Sequence, residues 1–134
     1  MDGATVVELV ATATPALESS GRRSVDVRLT ALLSDERQLV LLDDRGFTTG
    51  GRPSSGPLPE PDDHDLFICA WCVGPDEKHG ELTDRDMADA HFGALADNLG
   101  AAGVETTAEI LMRVPFRVVW DRHQRLWSAS LDWY

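Results

Sequence analysis

Residues 65–75 read Asp-Leu-Phe-Ile-Cys-Ala-Trp-Cys-Val-Gly-Pro, and the fold turns on how they are taken. Positions 66–73 are apolar without a break, so no polar residue marks a period. An apolar run of this length, closed by Gly74-Pro75, fits a central strand buried on both faces. That reading puts a sheet at the middle of the chain and asks for cover on each side of it.

Upstream, Val25, Val27, Leu29, Ala31 and Leu33 alternate with Asp26, Arg28, Thr30 and Leu32, which is a strand period. A turn at 34–37 leads into Leu39-Val40-Leu41-Leu42, and Asp43-Asp44-Arg45-Gly46 turns again into Phe47-Thr48-Thr49, so an antiparallel meander is expected. Residues 5–19 carry Val6, Val10, Ala13 and Leu17 at helical spacing, with Thr14-Pro15 suited to cap and open a second short helix, and are expected to form an N-terminal helix. Residues 50–63 hold four prolines and three glycines, which neither a ladder nor a helix accommodates; they are expected as an exposed loop.

Downstream, Thr83 is placed to cap a helix whose first turn contains Asp84 and Asp86, with Leu82 and Met87 at the positions of a hydrophobic staple. Ala88, His91, Phe92, Leu95 and Leu99 make its apolar stripe, and Gly100 or Gly103 its stop, giving a long helix over about 84–102. From Thr106 to Trp120 the even positions are mostly apolar and the odd ones mostly polar, so a strand is expected, with Pro115 at an edge or bulge. Thr106-x-x-Glu109 competes with it as a helix capping box. A turn at 121–125 then gives a closing strand over 126–134, with Trp120, Trp127 and Trp133 on inward positions. The fold class expected is α+β: an antiparallel sheet of five or six strands, the long helix packed on one face, and the N-terminal helix. No internal repeat divides the chain, and its 134 residues suit one globular domain over 1–134.

Charge is the abnormal quantity. The chain has 23 Asp and Glu against 12 Lys and Arg, a net −11, which disfavours nucleic acid and anionic membrane surfaces as partners. Of the basic residues only Lys78 is a lysine, a bias expected of a GC-rich bacterial genome. No apolar run approaches the length of a membrane span and no basic n-region opens the chain, so a reducing cytoplasm is the expected compartment. The excess is concentrated: residues 1–59 carry −2, residues 60–89 carry −8 and residues 90–134 carry −1. The acids of the middle segment are Glu60, Asp62, Asp63, Asp65, Asp76, Glu77, Glu81, Asp84, Asp86 and Asp89.

The motifs that resemble chemistry do not complete it. Cys69-Ala70-Trp71-Cys72 has redox spacing, but inside a strand residues three apart face opposite ways, so inert core thiols are expected. For the same reason a zinc site drawing on His64 and His79 is not expected, and neither a metal nor any cofactor is implied. Gly51-Arg52-Pro53-Ser54-Ser55-Gly56 lacks the lysine of a phosphate loop, Pro57 standing there instead, and Asp84-x-Asp86-x-x-Asp89 lacks the turn glycine of a calcium loop. His91 lies on the helical stripe and reads as a hydrogen-bonded packing residue. No HExxH or GxSxG pattern occurs, so no catalytic residue is nominated.

Charge and size therefore point to a non-enzymatic protein-binding module whose acids at 60–89 meet a basic protein partner and regulate or neutralise it, as an immunity protein or antitoxin does. A second class is a small enzyme or ligand-binding domain with a pocket between the sheet and loop 50–63, with His64, Asp65 and His79 at its mouth. A third is a structural subunit, or a homodimer formed through a sheet face left uncovered, whose sign is an exposed apolar sheet face.

Overall fold

In the computed structural model, which describes residues 3–17, 23–49, 63–75, 80–121 and 125–129, the apolar run is not a strand but a helix, α1, Asp63–Cys72. Leu66, Cys69 and Ala70 are its buried residues, joined by Val73 just past its end, and the four recur at i, i+3, i+4 and i+7. The period was hidden because the outward positions Phe67 and Trp71 are apolar as well. The expected loop 50–63 gives up its last residue to this helix, and its other residues lie outside the described part of the structure.

The N-terminal segment is also not helical. It is strand β1, Val6–Leu17, followed by β2, Arg23–Leu33, and β3, Gln38–Thr49. Two periods coexist in β1. The helical spacing of Val6, Val10, Ala13 and Leu17 loses to an alternation in which Leu9, Ala11, Ala13 and Pro15 are buried, supported by β-branched Val and Thr between them. A register shift between Val6 and Glu8 brings Val6 onto that face as well. Pro15 is tolerated in an inner strand because the neighbour on one side, β4, pairs only with Leu9–Ala13. In β3 the expected turn at Asp43–Gly46 is an irregularity within one continuous strand: Val27 pairs with Arg45 and Leu29 with Leu42, so an extra residue is accommodated there.

After α1, helix α2 spans Asp84–Ala101 close to the expected bounds, but it is one of three helices. Thr83 caps it, accepting a hydrogen bond from the Asp86 amide at 3.1 Å while its own amide donates to Asp86 Oδ2 at 2.9 Å. At the other end Gly103 adopts φ +88°, its amide donates to Gly100 O at 3.0 Å, and the Val104 amide donates to Leu99 O at 2.8 Å. This is a Schellman stop, in which glycine supplies the left-handed residue and Val104 folds back, buried, toward buried Leu99. The strand expected over 106–120 is divided. Thr107, one residue later than the expected cap, accepts from the Ile110 amide and starts α3, Ala108–Arg113; Val114-Pro115 ends it, and β4 follows over Phe116–Trp120. The closing strand β5 is Arg125–Ala129.

The sheet runs β3-β2-β1-β4-β5 and is mixed, not antiparallel as expected, because β1 and β4 are parallel while the other pairs are antiparallel. Hairpins force neighbouring strands to run antiparallel, but a crossover through helices does not. Once 66–73 is helical, the whole connection from β3 to β4 is such a crossover. Ala11 and Ala13 sit at its centre, in register with Leu29 and Val27 on one side and with Val118 and Trp120 on the other. These residues and the inner faces of the helices form one core cluster, with Trp120 fully buried. Helix α1 lies against β1, β3 and β4, and a helix of ten residues, about 15 Å long, is long enough to bridge three strand spacings of about 4.8 Å. It therefore crosses the strands. Val10 is buried on the opposite face, outside that cluster. Around it stand Glu8, Thr12, Thr30 and Arg117, with Arg117 paired to Glu8 at 2.8 Å. This face is mixed: exposed Val40, paired with Thr30, and half-buried Val119, paired with Thr12, share it with these polar residues.

Gly46 is fixed by the close pairing of β3 with β2, since a Cβ there would lie 2.6 Å from the Val25 carbonyl oxygen. Gly46→Ala is expected to lower stability by about 1–3 kcal/mol, the usual cost of overpacking. Urea denaturation checks this: an unchanged midpoint would contradict the pairing.

Candidate functional site

Of the ten acids in the 60–89 segment, the structure places Glu81, Asp84, Asp86 and Asp89 together on the turn and first turns of α2, all exposed. Asp65 is half-buried on α1. Asp63 begins α1, but its side chain lies outside the described part of the structure, as do Glu60, Asp62, Asp76 and Glu77 altogether.

The four at α2 do different work. Asp86 is held by the Thr83 amide, and that hydrogen bond lowers its pKa below the ordinary carboxylate value. Its ionised form therefore supports the helix at neutral pH, and that support is lost as pH falls through the lowered pKa. Asp84 lies in the same first turn, favoured by the positive end of the helix. Asp89 stands 3.9 Å from Arg85 one turn away, an exposed pair of small energetic weight. Glu81 precedes the cap and is exposed.

On α1 the structure exposes a feature that the strand reading concealed. Phe67 and Trp71, at i and i+4 on α1, are 49% and 55% exposed. The available signal was the i, i+3, i+4, i+7 spacing of Leu66, Cys69, Ala70 and Val73. The helix that carries them is seated on its other side by those four buried residues. Its end is tied to α2, where His91 Nε2 donates to the Val73 carbonyl oxygen at 2.9 Å and the ring meets Phe92 edge-on, with centroids 4.9 Å apart.

Helical geometry also changes the case for the two cysteines. At i and i+3 they share a side of α1 and do not point to opposite faces as a strand would require, and both are thiols. A reactive pair needs the positive end of a helix, whereas these lie in the last turn. Cys69 is fully buried, and burial pushes the Cys72 thiol above its ordinary pKa, with nearby Arg45 only partly opposing it. Ellman's reagent is expected to label both slowly at neutral pH until the chain is unfolded. Rapid labelling of either in the native state would contradict this placement.

The pocket expected at loop 50–63 falls outside the described residues, as do His79 and the His64 side chain. A described depression of about 340 Å³ lies elsewhere, at the β2–β3 irregularity, lined by Asp26, Asp43, Asp44, Arg45 and Phe47 among others. Among the described residues no group of three or more His, Cys, Asp or Glu is arranged to hold a metal ion, and no helix is long and apolar enough to cross a membrane. No family model matches the chain, and no curated protein or solved structure is significantly similar to it.

Proposed function

We propose that this chain is a protein-binding module that engages a basic partner protein through its acidic surface and regulates or neutralises it, in the manner of an immunity protein or antitoxin. The observation behind this reading is the set of exposed carboxylates of Glu81, just before the cap of α2, and of Asp84 and Asp89 on its first turns, within a segment of charge −8. A capped helix start holds its charges in fixed positions, so they present one pattern to an approaching surface. Like charges gathered in this way repel one another, and a cationic surface relieves that repulsion while being steered toward it. Asp86 is excluded from the binding set because its carboxylate is already engaged with Thr83.

The test is affinity capture from a lysate of the native host with two immobilised variants beside the wild-type chain. One carries Glu81→Lys, Asp84→Lys and Asp89→Lys, and the other carries Asp44→Lys, Asp97→Lys and Glu105→Lys at exposed positions elsewhere. The wild type and the second variant are expected to retain a basic protein in near-equimolar amount, released as salt shortens the Debye length from about 10 Å at 0.1 M toward about 3 Å at 1 M. The first variant is expected to lose it. Equal retention by both variants, or a retained partner that is acidic or indifferent to salt, would sink the proposal.

A further inference from the structure

We infer that Phe67 and Trp71 form the apolar anchor of an interface with a basic protein segment, taking an arginine or lysine side chain of that segment together with an adjacent apolar one. This rests on the reading of the chain as a binder of basic partners and names where the partner is gripped.

Two large aromatic side chains one helical turn apart, each about half exposed, form a patch of the kind that binding sites use as a hot spot. The patch is presented from a fixed element, since Leu66, Cys69, Ala70 and Val73 bury the opposite side of α1 and His91 holds the Val73 carbonyl oxygen. A preformed anchor loses little conformational freedom on binding. Nothing in the core requires aromatic residues at these positions.

Charge selects the occupant. The aromatic pair belongs to the segment with ten acids and two bases, in a chain of net −11, and Asp65 precedes Phe67 by two residues on the same helix. A second copy would bring the same acidic segment against itself, and an anionic lipid surface or nucleic acid would meet the same repulsion. A cationic protein is drawn in. Over the faces of Trp71 and Phe67 a guanidinium or ammonium gains cation–π attraction beyond the long-range pull of the chain's net negative charge. The aliphatic stem behind the charge covers the apolar rings.

The experiment is selection of a phage-displayed library of random peptides on the full chain, followed by measurement of the enriched peptides against variants. Enriched sequences are expected to be rich in Arg or Lys with an apolar neighbour. They are expected to bind Trp71→Ala and Phe67→Ala at least about tenfold more weakly, the scale of losing a hot-spot side chain, and Trp71→Phe with a smaller loss. Circular dichroism and thermal melting of each variant separate loss of the patch from loss of the fold. Basic peptides that are weakened by Glu81→Lys, Asp84→Lys and Asp89→Lys but bind Trp71→Ala as tightly as wild type would overturn the anchor while leaving the acidic reading standing. Enriched peptides that are acidic or neutral would overturn the inference, and so would a dimer in sedimentation velocity that Trp71→Ala dissociates, or the absence of any enrichment.

Discussion

Strand β1 is the part of the molecule on which the other elements depend. It is the only described strand that pairs with β2 on one side and β4 on the other, and the two ladders differ in sense. The antiparallel one joins it to the meander. The parallel one joins the meander to everything that follows the helices, and it is closed at both ends by backbone bonds: the Leu9 amide donates to Pro115 O at 2.9 Å and the Asp121 amide donates to Ala13 O at 2.8 Å. Ala11 and Ala13 matter for the same reason. Their small side chains at the centre of the sheet leave room for Trp120, Val118 and Leu29 beside them and for the helices above.

A parallel return to β1 requires the chain to pass over the sheet before coming back, and α1, α2 and α3 are that passage. Because α1 lies across the strands, one side of it belongs to the core and the other to solvent. Its sequence is apolar on both sides. The core accounts for Leu66, Cys69, Ala70 and Val73 but not for Phe67 and Trp71, so the same event that sets the topology also creates the exposed aromatic patch. Fold and proposed function meet in this helix.

The legible parts of the sequence are those where one signal acts alone. Helix α2 was readable because Thr83 and Gly103 mark its ends and Ala88, Phe92, Leu95 and Leu99 its inner side; β2 was readable because its alternation has no rival. The even positions of 116–120 were likewise read on the buried side, where Phe116, Val118 and Trp120 lie. Where two signals overlap, local reading failed. β1 carries both a helical and a strand period, the run 66–73 carries no polar residue to mark one, and α3 hides in an alternation that its buried Leu111 breaks. The parallel pairing has no local signature at all, since it depends on 66–73 being a crossover helix. The candidate site was legible as charge and not as geometry. Counting acids located the segment, but only the fold separates Asp86, which caps a helix, from Glu81, Asp84 and Asp89, and only the fold exposes Phe67 and Trp71.

The central claim is that the parallel ladder makes the meander and the helical crossover one cooperative structure. Native-state hydrogen exchange tests it most directly, read at the Leu9 and Asp121 amides and at amides in β2. The account predicts that Leu9 and Asp121 exchange only through global unfolding, with the same free energy and denaturant dependence as the β2 amides. Exchange of these two through a much cheaper local opening, while β2 stays protected, would show that the meander stands alone and would contradict the account.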